Sequence, residues 1–466
     1  MPRFLFSLFI ITTILCACKK DEFNFSASAS LFVSTDTVKF DTVFTSVGSV
    51  TQSFKIKNDN DQKLRISTIR LMGGNSSAFQ MNVNGQAATL VNNIDIEPND
   101  SIYVFVTVHI NPNQNNLPFI INDSIQIQYN NNNRWVQLEA YGQNAHFMTN
   151  EILLGNITWT NDLPYVILGS LTVDTNAVLQ IDAGCKIYTH ANAPILIDGT
   201  LQTNGIKNNE VVFTGDRLDE YYRDLPASWP GIYFRSTSKN NQLNYTIVKN
   251  ATDAISVFEP SVNSFSKLAL HHCTIDNALN KGLYALASSV EMENSLISNC
   301  GKNIFLERGG SFVFSNCTVA AYANSFIFHN HPVLWLSNYI YQNNTLLTAS
   351  TNAQFINCIF WGEGGLNSNE VAVYKEGNDN FSVVFDHCLY KNDTTPSNST
   401  VVSSINNFDP SFDSIDVVNR YYDFRTNNFS NAPGIDNGIN TTYLTDLDNN
   451  PRTIGSATDI GCYEKQ

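Results

Sequence analysis

The stretch "LHHCTIDNA" at residues 270–278 decides how the rest of the chain is read. By residue type, His271, His272, Cys273 and Asp276 resemble a zinc or copper ligand set. The same frame recurs, however, as "LNYTIVKNA" (243–251), "MENSLISNC" (292–300), "FSNCTVAAY" (314–322), "FINCIFWGE" (355–363) and "FDHCLYKND" (385–393). Its fourth position reads Thr246, Cys273, Ser295, Cys317, Cys358 and Cys388, always small. Apolar columns flank it: Leu243, Leu270, Met292, Phe314, Phe355 and Phe385 before, Val248, Ile275, Ile297, Val319, Phe360 and Tyr390 after. Asn250, Asn277, Asn299 and Asn392 form a further column, with Ala321 and Gly362 in it. A metal ligand would not be exchanged for Ser or Thr along such a series. The stretch therefore reads as one unit of a repeat, and no metal is expected there.

The units are spaced by 27, 22, 22, 41 and 30 residues, which a core of about 22 residues with loop insertions explains. Period-two alternation marks strands, and no helical pattern separates them. Strands repeating this way predict a parallel β-helix, whose rungs stack ~4.8 Å apart and pile equivalent side chains into ladders. The small column is expected to point inward at a tight corner, its thiols acting as small hydrophobes. The Asn column is expected to satisfy backbone groups in a turn. This region is placed at 151–420.

The chain has 466 residues, a net charge of −15 and only 15% charged residues, with Asn-rich runs in place of charge. That balance disfavours nucleic acid as a partner. Seven cysteines follow residue 18, widely spaced and without a C-x-x-C, so neither a disulfide scaffold nor a zinc ribbon is expected. Residues 25–147 carry alternating strands such as "SIYVFVTVHI" with turn signals between them. They predict an antiparallel β-sandwich of immunoglobulin-like type, serving as spacer and N-terminal cap.

Residues 1–18 read as a signal segment: one basic residue, then an apolar run from Phe4 to Leu15, too short to span a bilayer. "LCAC" at 15–18 resembles a bacterial lipobox, which implies acylation of Cys18. "KKDE" at 19–22 resembles the signal that sends lipoproteins of Bacteroidota to the outer face of the outer membrane. "FDTVFTSVGSVTQSFKIKN" with "IEPNDSIYVFVTVHI" is similar to the N-terminal sandwich of envelope proteins of that phylum. "GNITWTNDLPYVILGSLTV", "DGTLQTNG" (198–205) and "WPGIYF" (229–234) resemble the opening rungs of right-handed parallel β-helix lipoproteins with a pectate-lyase-like fold. The resemblance covers most of the chain. It implies an all-β protein: sandwich, solenoid, and a capping segment over 421–466.

The tail "TDLDNNPRTIGSATDIGCYEKQ" (445–466) resembles the closing segment of such surface proteins. Half a calcium loop is the alternative reading of "DLDNNP". It departs from the EF-hand at Pro451, where Gly is needed, and at Ala457, where Glu should close the loop. Arg452 pairing with Asp459 is the structural expectation for this cap.

Many proteins of this fold cleave polysaccharides, which takes clustered carboxylates, or a Lys or Arg base, on an outer face. The best carboxylates are Glu291 and Glu293, on one strand face, with His271 one rung away and no cation in the same columns. The densest charge is "DRLDEYYRD" (216–224), an inserted loop that brings Asp216, Asp219, Glu220, Tyr221 and Tyr222, followed by Trp229, as ligand-binding candidates. Trp335, Tyr339 and Tyr341 form a second aromatic patch, and packing into the core is its other reading. The expectation is a lipid-anchored, outward-facing outer-membrane protein that is non-enzymatic and displays a binding face for glycan or surface protein. The alternative is a polysaccharide lyase or glycoside hydrolase of the same fold.

Overall fold

A strand buries alternate side chains, so a run such as "FKIKN" must find a second layer to cover its apolar face. In the computed structural model, residues 22–45, 48–111, 119–427 and 431–465 are described, and Cys18 lies outside them. Two units result, 1–144 and 145–466.

The first unit has two five-stranded sheets. One runs in the order Leu31–Val33, Gln52–Asn58, Ser101–Val108, Phe79–Val83 and Gln86–Ala87. The other runs Thr37–Phe44, Asn132–Gln143, Phe119–Tyr129, Leu64–Leu71 and Leu90–Ile96. Pairing is antiparallel, except that Thr37–Phe44 lies parallel to Asn132–Gln143. Both sheets contribute to one core, with Phe54, Ile56, Val104, Ile66 and Ile127 among its buried side chains.

The second unit is a parallel solenoid of 26 strands. Each rung passes through three sheets. Sheet 1 contains Thr246–Lys249, Thr274–Asp276, Leu296–Ser298, Thr318–Tyr322 and Ile359–Glu363. Sheet 2 contains Ile232–Phe234, Asp253–Phe258, the first halves of Lys281–Glu293 and Lys302–Ser315, Leu334–Ser337 and Val371–Tyr374. Sheet 3 contains Asn241–Asn244, Leu268–His271, the second halves of those two long strands, Thr351–Ile356 and Phe381–Asp386.

The register read from the sequence is the register of the fold. Leu270 pairs Met292, Met292 pairs Phe314, Phe314 pairs Phe355, and Phe355 pairs Phe385. These side chains form the core, where Phe355 and Phe385 stack with centroids 4.8 Å apart. The corner from sheet 3 to sheet 1 has a feature the sequence reading did not isolate. The residue before the small column is left-handed on seven successive rungs: Tyr245, His272, Asn294, Asn316, Asn357, His387 and Ser403 all have φ between 39° and 55°. Asn tolerates that region better than most residues, which is why it recurs.

The small column also differs in character from the expected small hydrophobes. Its members are proton donors to corner carbonyls. Ser295 Oγ donates to Glu293 O at 2.7 Å and Thr246 Oγ1 to Asn244 O at 3.0 Å. Cys317 Sγ lies 3.2 Å from Ser315 O, and Cys358 Sγ 3.3 Å from Ile356 O. Burial raises the Cys273 thiol to about 12 and the Cys317 and Cys358 thiols well above their ordinary value, so the protons stay in place.

The C-terminal segment caps the solenoid laterally. Residues 407–427 and 431–465 run back along the corner between sheets 3 and 1. Asn357 Nδ2 donates to Ile439 O (2.7 Å), Asn316 Nδ2 to Thr441 Oγ1 (3.0 Å), and Tyr245 meets Asn449 (3.4 Å). Phe424, Leu447 and Cys462 bury Leu296 and Ala320 on the outer side of sheet 1. The expected Arg452–Asp459 pair is not formed. Arg452 donates to Asn294 Oδ1 (2.6 and 2.9 Å) and to Gly461 O (3.0 Å), while Asp459 accepts the backbone N–H groups of Asp436 and Lys465. The left-handed corner is the reason: Asn294 turns its carboxamide outward, and the guanidinium fork fits it.

Candidate binding site

Sheet 2 carries the site. Along its strands Ile255, Leu283, Ile304, Leu334 and Val371 alternate inward, so their neighbours face out. The outward ladder is Tyr284, Phe305 and Trp335, joined by Tyr374. Phe305 and Trp335 stack with centroids 5.3 Å apart at 24°, and Trp335 and Tyr374 lie 4.5 Å apart. These rings cover one another's faces, so the ladder stiffens the sheet and does not offer a row of free platforms.

At the start of the same strands Asp253, Lys281 and Lys302 share one column. Lys281 Nζ sits 3.8 Å over the Tyr284 ring and Lys302 Nζ 4.3 Å over Phe305, which fixes both stems against the ladder. The lysines open into a cleft of about 340 Å³ whose far wall is Phe326, Phe328 and His331. The wall is anchored from within. His329 Nε2 lies 2.8 Å from Glu370 Oε1, and Glu370 Oε2 accepts Val333 N–H at 3.2 Å, both side chains being buried. Gly362 lets this pair approach, since a Cβ there would stand 2.2 Å from His329 Nε2.

Burial pushes the Asp253 carboxyl up, against the pull of the two lysines. Burial, with Lys302 and His329 nearby, pushes His331 down. The cleft thus combines two lysines, one Asp carboxyl, an imidazole held toward its neutral form and exposed phenyl rings. Such a set can grip a sugar carboxylate through the lysines while a ring stacks on Phe. The repeat "KGLY" (281–284) and "KNIF" (302–305) was the available signal for it.

The residues singled out from the sequence lie elsewhere. His271 does face Glu293 from the next rung, with Nδ1 2.6 Å from Oε1 but out of hydrogen-bonding alignment. Glu293 is buried, and Tyr443 of the tail lies close enough to Glu293 and Glu291 to feel both charges. The tail also brings Arg452 to the neighbouring Asn294, so the cation missing from the columns arrives from 158 residues away, and it arrives already bonded. That face is a packed seam. His272 stacks on Tyr245 at 4.5 Å, which completes a structural account of the opening stretch.

In the 216–224 loop, Asp216 meets His190 (2.7 Å), Asp219 pairs with Arg217 (2.8 Å), and Arg217 covers Tyr222 at 3.8 Å. Tyr221 and Glu220 are exposed. Trp229 is a correction: it is fully buried, packs in the solenoid core and donates Nε1–H to Lys249 O at 2.9 Å, so it cannot meet a ligand. Its apolar bulk outweighs its loop position. Trp335 belongs to the ladder, whereas Tyr339 and Tyr341 lie on a separate hairpin. In "DLDNNP", Asp446 accepts the N–H groups of Asp448, Asn450 and Glu464, and Asp448 pairs with Lys207 and Arg425. The carboxylates of the turn are thus engaged by backbone N–H groups and by two cations.

Comparison with protein families agrees at the level of fold. A family model described as "Right handed beta helix region" matches residues 168–319. No curated protein matches the chain. Among solved structures, a pectate lyase, Pel9A, is similar at 12% identity with a TM-score of 0.35, over 70% of this chain and 88% of that one. A family 123 glycoside hydrolase from Clostridium perfringens matches at 10% identity and a TM-score of 0.19, over 26% of this chain. The match spans only 30% of that hydrolase. The second unit is a right-handed parallel β-helix.

Proposed function

We propose that this chain is a lipid-anchored protein of the outer membrane's outer face, binding an acidic polysaccharide without cleaving it. The observation that carries the binding reading is the Lys281–Lys302 column opening into the Phe326–Phe328 cleft. A net charge of −15 opposes a polyanion at long range. Beyond about 8 Å that repulsion is largely screened at physiological ionic strength, so the local pair decides. Electrophoresis of the folded chain through gels containing pectin, alginate, chondroitin or heparin tests the reading. Retardation by at least one, absent with neutral dextran and lost in Lys281→Ala/Lys302→Ala, is the expected result. Uniform mobility in all gels contradicts it.

One observation favours a second reading, a polysaccharide lyase. Asp253, Lys281, Lys302 and His331 form a titratable cluster with shifted groups in a cleft, a common setting for acid–base chemistry. A rise in unsaturated-uronate absorbance that vanishes in the same double variant would favour that reading over binding alone.

A further inference from the structure

A second cavity, of about 160 Å³, lies around the corner from the lysine cleft, where the Asn column meets the antiparallel hairpin of Phe412–Asp416 and Tyr421–Thr426. The column does different work on successive rungs. Asn250 Nδ2 is used by Arg223 O (2.8 Å), and Asn277 Nδ2 by Asn250 Oδ1 (2.8 Å) and Asp224 O (3.0 Å). Asn299 Oδ1 accepts Tyr322 N–H at 3.0 Å, and its Nδ2, on a residue 3% exposed, turns toward the Asp276 carboxyl. The Tyr422 hydroxyl, from the hairpin, is turned away from solvent and meets the Asn324 side chain. Both line the cavity, beside the Asp276 carboxyl and the Lys249 ammonium. Asp276 accepts Ser298 Oγ–H at 2.6 Å and feels the Lys249 ammonium and the Asn299 amide.

The wanted chemistry follows from that inventory. Asn299 Nδ2 and Lys249 only donate, Asp276 accepts, and Tyr422 Oη can do either. A ligand must therefore supply neighbouring groups that donate and accept at once, which is the property of vicinal hydroxyls. The charged groups of the lining balance: Lys249 and Arg420 against Asp224 and Asp276. A charged ligand gains little there. The two sites also share a wall. Phe326 lines the lysine cleft, and Arg420, which lines the polar cavity, covers its ring at 4.9 Å.

We propose that this polar cavity is a second sugar subsite, taking a neutral pyranose through its vicinal hydroxyls next to the acidic sugar held by the lysines. The proposal rests on the acidic-glycan reading for its context, and its test separates the two. Saturation-transfer NMR and calorimetry on the purified folded chain would use methyl α-mannopyranoside, methyl β-glucopyranoside and methyl β-galactopyranoside as neutral probes, and galacturonate as the acidic one. At least one neutral glycoside should bind, weakened about tenfold or more by Asp276→Asn and by Tyr422→Phe, with galacturonate binding unchanged. Lys281→Ala/Lys302→Ala should do the reverse. The subsite is overturned if no neutral glycoside binds the wild type, or if neither variant weakens one that does. Loss of galacturonate binding alone would refute the lysine cleft and leave the subsite standing.

Discussion

Cys317 gives the sharpest test of the ladder. It is fully buried, with Ser295 on the preceding rung and Cys358 on the next, each ~4.8 Å away. Cys317→Ser keeps a donor for Ser315 O, in the geometry Ser295 already uses, and should cost under about 1 kcal/mol. In Cys317→Ala the Ser315 carbonyl still holds Asn294 N–H (3.0 Å), so only a second, weak bond and the sulfur's packing are lost. That loss is roughly 1–2 kcal/mol. Cys317→Phe forces a ring into a corner closed by rungs on both sides, which costs about 3 kcal/mol or more. At roughly 2–4 °C per kcal/mol, the Ser variant should melt within a few degrees of wild type and the Phe variant well below it. Scanning calorimetry reads the difference. Equal melting of the Ser and Phe variants would refute the inward corner.

Cys18→Ala should move the protein from membrane to soluble fractions and abolish its exposure to external protease; retention in the membrane contradicts the anchor. Burial, then His271 and Arg452, push the His272 imidazole down to about 4. Between pH 6.5 and 4 the unfolded chain holds that proton and the folded one does not, so stability falls as pH drops through this window. His272→Asn, which installs the residue this column carries at Asn294, Asn316 and Asn357, should flatten the fall in a melting-temperature series against pH. Arg452→Met leaves Asn294 Oδ1 and Glu464 without their buried cation, at a cost of about 3–5 kcal/mol to tail docking. Limited proteolysis should then cut within 431–465 first while the circular dichroism of the solenoid persists; unchanged resistance would show that other contacts hold the tail.

The solenoid was legible because a rung repeats its side-chain pattern at fixed register, and six aligned segments average out local noise. The left-handed column was visible only in retrospect. Tyr245, His272 and His387 occupy it alongside Asn, and backbone sign leaves no strict residue signature. The path of the tail was not legible at all, because Arg452–Asn294 and Asn449–Tyr245 join residues more than 150 positions apart with no local pattern to announce them. The lysine cleft escaped for another reason. Lys281 and Lys302 begin the strands of the sheet after the small column, and their wall comes from the 323–331 insertion, so no single stretch carries the site. Trp229 shows the converse: an aromatic in a charged loop reads as exposed until its bulk is found in the core.

The most direct test of the central claim is calorimetric titration of an oligogalacturonide and an oligoguluronide into the full folded chain and into Lys281→Gln/Lys302→Gln. The account predicts that wild type binds at least one of them and that the double variant loses tenfold or more, about 1.4 kcal/mol, with its melting temperature unchanged. Equal affinity in the two proteins, or no binding by wild type of either ligand or of chondroitin and heparin oligosaccharides titrated in the same way, would contradict it.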